Sequence, residues 1–243
     1  LLLLIDTPPA PPEQAQAAAR RPLDLLLLVD TSGSIDPPAR AAQERFVAGL
    51  LESLGESDRF NLLTCDVEVR PAFQRAQTPA PGAIEAALGA LAARAPLGWT
   101  DLDLALARAR ELAGPETRVV YVGDGAVTTG DAGPAAFAQR AAETWKGAGV
   151  HVVAPGSQSE PLALDGLTRL GSGGGTLRGL AGTEPAQAAF ELLRDLSAPL
   201  VRGVEVRVEG VATASVYPDQ RRALPAGSQQ VVAARFDPRG AQR

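Results

Sequence analysis

An apolar run from Leu25 to Val29 stops at Asp30 and is followed at once by Thr31-Ser32-Gly33-Ser34. The alternation Asp30-x-Ser32-x-Ser34 lets a tight loop turn one carboxylate and two hydroxyls the same way, with Gly33 allowing the bend. These are hard oxygen donors. Such a set suits Mg²⁺ or Mn²⁺, which take about six oxygens and keep several waters, better than zinc, which favours nitrogen or sulfur. Two further polar clusters stand where they can join it: Gly98-Trp99-Thr100-Asp101 ahead of a helical stretch, and Gly123-Asp124-Gly125 at the end of a second apolar run. Thr100 and Asp124 complete a shell of five residues. A dication beside the carboxylates of Asp30 and Asp124 is formally neutral, and hydroxyls cancel nothing more. An incoming carboxylate can therefore still be bound. Trp99 either lines the rim of this site or packs beneath it.

The elements that must hold these clusters follow from the hydrophobic pattern. Leu25 to Val29 is uninterrupted, as in a parallel strand buried on both faces. Pro37 and Pro38 can open a helix in which Phe46, Val47, Leu50, Leu51 and Leu54 recur at helical spacing, with Gly55 as its stop. A strand near Phe60 to Cys65 follows, and Val67 to Val69 is expected as a short antiparallel edge. Helices are expected at about Gly82 to Ala93 and Asp103 to Ala113, then a strand over Arg118 to Val122. Phe137, Ala141, Trp145 and Ala148 are expected along one face of the next helix. Val150 to Ala154 reads as a strand, Leu162 to Leu170 as a short helix, Gly171 to Gly175 as a turn and Pro185 to Leu196 as a helix. This alternation predicts an α/β fold, a doubly wound and mostly parallel sheet with helices on both faces. Ligands of such sheets sit beyond the carboxyl ends of the strands, where all three polar clusters fall.

The period then changes. Val204, Val206 and Val208 alternate with charged residues, and Val211 to Val216 and Val231 to Phe236 follow across Pro/Gly turns. The expected organisation is a short strand and Pro/Ala-rich linker over 1–21, the α/β domain over 22–200, and a small antiparallel β appendage over 201–243 that pairs with residues 1–6.

Simpler readings compete with the metal shell. Asp and Ser also cap helices, and Ser34 or Asp36 can serve the helix that opens at Pro37. Asp36, Asp101 and Asp103 are read as helix-start charges favoured by the dipole, outside the shell. His151 is the sole histidine and stands where a strand begins, at the far end from the clusters, so a structural role is expected. Gly171 to Gly175 lacks the Gly-x-x-x-x-Gly-Lys-Ser/Thr pattern of a phosphate loop and follows a helix. Cys65, the only cysteine, excludes an internal disulfide and reads as a small apolar filler of its strand. An Asp30 nucleophile for Mg²⁺-dependent phosphoryl transfer is the rival function, but Ser32 stands where such enzymes carry a second Asp. A serine hydrolase lacks its Gly-x-Ser-x-Gly elbow and a suitably placed histidine. A structural module with a vestigial metal site is the third reading.

Asp30-Thr31-Ser32-Gly33-Ser34 at the end of an apolar strand, with Thr100 and Asp124 downstream, resembles the metal-ion-dependent adhesion site of von Willebrand factor A domains. The resemblance covers roughly Pro22 to Leu200. It implies that Ser32, Ser34 and commonly Thr100 touch the metal, that Asp30 and Asp124 often act through water, and that one coordination position is left for a partner's Asp or Glu. It implies a binding or adhesion module, no enzyme; of its two possible places, Trp99 is expected at the partner-binding rim. The apolar run and Pro-rich link before the domain, and Val204 to Val216 with Tyr217-Pro218 after it, are similar to inter-alpha-trypsin inhibitor heavy chains. That family inclines the location to secreted or cell-envelope.

Composition agrees with a folded α/β chain. Of 243 residues, 45% are hydrophobic and 21% charged, near globular averages. Aromatics are only 4%, so the core is expected from Leu, Val and Ala. A formal charge of −5 with few aromatics offers neither the basic surface nor the stacking platforms of a nucleic-acid binder. The apolar runs fall well short of the roughly 20 residues needed to cross a bilayer. With no Met and no basic leader at its start, the chain is expected to be a fragment or processed product.

Overall fold

The apolar run after Pro22 becomes the middle of a sheet, because each of its side chains has a layer of helices to bury against. The computed structural model describes residues 2–13, 21–95, 98–129, 133–171, 174–204, 213–217 and 222–236. The chain divides into two compact units, Arg21–Ser197 and a smaller one made of Leu1–Arg20 with Ala198–Arg243. Leu2–Asp6 (β1) belongs to the smaller unit. The larger contains strands Asp24–Asp30 (β2), Arg59–Cys65 (β3), Val69–Pro71 (β4), Arg118–Val122 (β5), Val150–Ala154 (β6) and Leu177–Gly179 (β7). Its helices are Pro37–Glu52 (α1), Pro81–Ala92 (α2), Leu102–Leu112 (α3), Pro134–Thr144 (α4), Pro161–Thr168 (α5) and Pro185–Ser197 (α6).

The six strands lie in the order β4-β3-β2-β5-β6-β7. All neighbours are parallel except β3 and β4, which are antiparallel. Strand alternation divides the core in two. Leu25, Leu27 and Val29 pack with Phe46 and Leu50 of α1, Leu91 of α2 and Leu192 of α6. Leu26 and Leu28 face the other way, with Ala105 of α3, Phe137 of α4 and Leu164 of α5. The sheet is thus covered on both faces, the doubly wound architecture expected from the alternation. Cys65 is one of the apolar fillers of the second layer, and burial pushes its thiol pKa up.

Several boundaries differ from the sequence reading for local reasons. α1 stops before Gly55, because Ser53 turns its N–H and hydroxyl back onto the carbonyl of Gly49 and closes the helix. β4 starts at Val69, since the carboxylate and N–H of Asp66 tie to the backbone of Glu68 and make a turn of the residues expected as strand. α4 ends at Thr144; Trp145 and Ala148 remain in the core, but past the helix, where the indole N–H donates to the Ala148 carbonyl at 2.8 Å. The edge strand β7 was not expected: three residues, Leu-Arg-Gly, carry no period. In the turn at 171–175, Gly171 and Gly174 have φ of +79° and +64°; residues 172 and 173 lie outside the described residues.

In the smaller unit, Leu200–Val204 (β8), Thr213–Tyr217 (β9), Arg222–Pro225 (β10) and Gln229–Phe236 (β11) form antiparallel sheets β1-β11-β9 and β10-β8. β1 and β11 run in register from Leu2 opposite Ala233 to Asp6 opposite Gln229. Val206, Val208, Val211, Pro218 and linker residues 14–20 lie outside the described residues. Among the described residues, no helix is long and apolar enough to cross a membrane.

Candidate metal centre

The carboxyl end of β2 carries the first cluster because the strand runs out of apolar residues there. Asp30 has the same parity as Leu26 and Leu28, so its side chain leaves the sheet on the face that also receives Tyr121 of β5. Tyr121 pairs with Leu28, two residues short of Asp30. Its hydroxyl spans that offset and donates to Asp30 Oδ2 at 2.8 Å. The loop then folds back: Ser32 N–H donates to Asp30 Oδ1 at 2.9 Å, and the hydroxyls of Ser32 and Ser34 lie 2.8 Å apart. Thr100 Oγ1 sits 3.4 and 3.3 Å from the two Asp30 oxygens.

Thr100 is fixed from three sides. Its N–H donates to Thr128 Oγ1 at 2.8 Å, its carbonyl accepts from Thr129 Oγ1 at 3.0 Å, and next to it Asp101 N–H donates to the Asp66 carbonyl at 3.0 Å. Gly33 N–H reaches the Gly98 carbonyl at 3.1 Å, which joins the first loop to the second. Gly98 has φ +88°, a conformation a side chain would strain.

Asp124 closes the arrangement from the end of β5. Its Oδ1 accepts from Ala126 N–H at 2.9 Å, and it is only 5% exposed. Asp124 and Ser34 line one cavity of about 350 Å³. The close approach of β5 to the site requires Gly123: a Cβ there would stand 2.3 Å from the Tyr121 hydroxyl oxygen and 2.6 Å from Asp30 Cβ.

Burial dominates the electrostatics. Asp30 is 0% exposed, and loss of water, aided by the Asp124 charge, pushes its carboxyl up to about 6 despite the donors from Ser32 and Tyr121. Tyr121 is raised well above its ordinary value by burial and by the Asp30 charge. A cation placed beside Asp30 would offset the cost of burying its charge. Among the described residues no group of three or more His, Cys, Asp or Glu converges as a metal shell. The oxygen atoms gathered at this end of the sheet include the hydroxyls of Ser32, Ser34 and Thr100 beside the Asp30 carboxylate. The donor set is all oxygen, which fits Mg²⁺ or Mn²⁺.

The structure brings Asp30, Ser32, Ser34 and Thr100 into one contiguous network and sets Asp124 beside it. Trp99 has no place in that network; at 65% exposed, its indole is on the surface and not packed beneath the loop. Asp36 and Asp101 cap α1 and α3, accepting from Ala39 and Leu104 N–H, and Asp103 pairs with Arg140 at 2.7 Å. His151 is buried at the opposite end of the sheet, with Nδ1 3.0 Å from Thr176 Oγ1. Burial, then the charges of Arg118 and Arg178, lowers its pKa to about 4.

Three supports escaped the sequence reading. Tyr121 lies inside the expected strand Arg118 to Val122, where nothing local marks the partner of its hydroxyl. Gln43 donates through Nε2 to the carbonyls of Asp30 and Val122 at 2.9 and 3.0 Å, tying the ends of β2 and β5. Its signal was present: a lone amide on the buried stripe of α1, between Ala39 and Val47. Asp66, buried and paired with Arg94, accepts from Thr31 Oγ1 at 3.2 Å and anchors the loop from the β3 side.

Comparison with known proteins agrees with this fold. Residues 23–176 match the family model described as von Willebrand factor type A domain. No curated protein matches the chain. Among solved structures, a von Willebrand factor type A protein from Catenulispora acidiphila superposes with TM-score 0.60 at 14% identity, over 88% of this chain and 57% of that one. Proximal thread matrix protein 1 of the mussel byssus, in a form whose metal-ion-dependent adhesion site holds zinc, gives 0.51 at 18%, over 76% and 50%. An aerotolerance-related membrane protein from Bacteroides fragilis gives 0.51 at 14%, over 72% and 98%. The chain thus spans about half the length of the first two. At such identities these likenesses speak to the fold alone. With a family match over more than half its length, the chain belongs to the von Willebrand factor type A domain family.

Proposed function

We propose that the larger unit is a metal-dependent protein-binding module. A divalent cation, Mg²⁺ or Mn²⁺, is held by the hydroxyls of Ser32, Ser34 and Thr100, with the carboxylates of Asp30 and Asp124 acting through water. The remaining coordination position takes an Asp or Glu side chain of a protein partner, and the exposed indole of Trp99 lines the rim where that partner arrives. The observation that carries this reading is the fully buried Asp30 carboxylate beside the Ser32–Ser34 hydroxyl pair. A buried carboxylate without a cationic neighbour is costly, and a dication offsets that cost.

The rival, phosphoryl transfer with Asp30 as nucleophile, fits less well. Both Asp30 oxygens are engaged, one by Ser32 N–H and the other by the Tyr121 hydroxyl, and the group has no exposed surface from which to attack. We also read the two flanks, joined through β1 and β11, as the setting of an inter-alpha-trypsin inhibitor heavy-chain type of protein.

The test is affinity capture from the source extract with and without chelator. Binding through the cation predicts a protein partner that is lost on chelation and lost with folded Asp30→Ala or Ser32→Ala. A hydrolase panel run with Mg²⁺ is the counter-test: turnover abolished by Asp30→Asn would overturn the binding reading.

A further inference from the structure

The cavity beside the candidate metal shell is built unevenly. Ser34 and Asp124 of the shell line it together with the apolar side chains of Val127 and Pro134 and the polar ones of Gln158 and Glu160. Of the two Asp124 oxygens, Oδ1 accepts from Ala126, while Oδ2 takes no hydrogen bond from a described residue. The backbone of Glu160 is tied to that of Asp124, because its N–H donates to the Asp124 carbonyl at 2.7 Å. Glu160 Oε1 caps α5 through Leu162 N–H at a long 3.3 Å, and its Oε2 is free of described donors. No Lys or Arg is among the described residues lining the cavity.

Charge decides what this space can receive. With a dication among Asp30 and Asp124, the shell is neutral. A partner's carboxylate makes it negative, and Glu160 adds a second negative charge at the edge of the same cavity. Like charges juxtaposed at an interface are penalised, so a partner offering only its carboxylate binds against Glu160. A partner that brings a cation alongside removes the penalty. The aliphatic stem of Lys or Arg suits the wall of Val127 and Pro134 while its head reaches a carboxylate.

Resting on the metal-dependent reading above, we infer that this cavity receives a Lys or Arg side chain carried by the protein partner next to its metal-seeking Asp or Glu, with Glu160 as the counter-charge. Glu160 is then a specificity-determining residue, outside the metal shell.

The test uses the full chain loaded with Mn²⁺ and cyclic peptides that present a single Asp with Lys, Ala or Glu two positions away. The Lys peptide is expected to bind roughly five- to tenfold more tightly than the Ala peptide, and the Glu peptide more weakly than either. Glu160→Gln should bring the Lys-to-Ala ratio near one, and Glu160→Lys should favour the Glu peptide. Equal affinity for the Lys and Ala peptides, or a Lys preference that survives Glu160→Gln, overturns the inference. So does the absence of chelator-sensitive binding of any peptide to a chain shown by calorimetry to hold Mn²⁺. Failure of Mn²⁺ itself to bind overturns the underlying metal reading instead.

Discussion

The hydroxyl of Tyr121 donates to Asp30 Oδ2 at 2.8 Å and accepts from Gly125 N–H at 3.2 Å, so one phenol joins the ends of two adjacent strands. Of its two partners, Asp30 lies within the cluster and Gly125 follows Asp124 in the chain. The geometry of the candidate site therefore depends on a residue that belongs to the core.

Tyr121→Phe keeps the ring and removes the bridge. A buried carboxylate oxygen and a backbone N–H then lose a partner, which costs about 1–3 kcal/mol. Chemical denaturation should show that loss in metal-free protein, and calorimetry should show weaker Mn²⁺ binding. Unchanged values in both would deny the phenol its bridging role.

Two glycine substitutions should behave oppositely. At Gly123 a Cβ meets the Tyr121 hydroxyl at 2.3 Å, so Gly123→Ala must displace Tyr121 or Asp30 and should weaken both stability and metal binding. Gly89 in α2 has nothing within 4 Å of an added Cβ. Gly89→Ala should therefore stabilise the chain by about 0.5–1 kcal/mol through helix propensity, with metal affinity untouched. Melting curves and Mn²⁺ titration of the two variants provide the check, and similar behaviour of both would refute the steric account.

His151 should give a pH dependence of stability. Its pKa is lowered from 6.5 to about 4 in the folded chain, so between these values the unfolded state binds the extra proton. Its contribution is present above pH 6.5 and is lost as pH falls through 4. Asp30 acts in the opposite sense in metal-free protein: raised from 3.8 to about 6, it favours folding at low pH and loses that contribution as pH rises. The two slopes oppose each other, so the informative quantity is the stability difference between the chain and His151→Asn. That difference should shrink or reverse by on the order of 2–3 kcal/mol between pH 7 and pH 4. A difference constant with pH would show that His151 titrates normally in the fold.

Much of the α/β unit was legible because its apolar runs are long and pure. Leu25 to Val29 and Arg118 to Val122 announce buried strands by composition alone, and Pro37 and Pro185 mark the entries of α1 and α6, while α2 and α5 begin at Pro81 and Pro161, one residue before the starts expected from the apolar pattern. β7 and β10 were not legible, since three- and four-residue strands have no period to detect and exist through pairing with β6 and β8. The polar cluster could be read because Asp30-Thr31-Ser32-Gly33-Ser34 is local. Its supports could not: Tyr121, Gln43 and Asp66 act across the sheet, and their roles depend on strand order and parity.

The most direct measurement is the melting temperature of chelator-stripped chain as Mg²⁺ or Mn²⁺ is titrated in, with Zn²⁺ alongside. A cation held by the folded hydroxyl and carboxylate cluster stabilises the chain by about 2.7 kcal/mol at 100 times its dissociation constant. The account predicts a rise in melting temperature with Mg²⁺ or Mn²⁺ that is absent in Asp30→Ala and Ser32→Ala. An unchanged melting temperature across millimolar metal, or an equal rise in all three proteins, would contradict it.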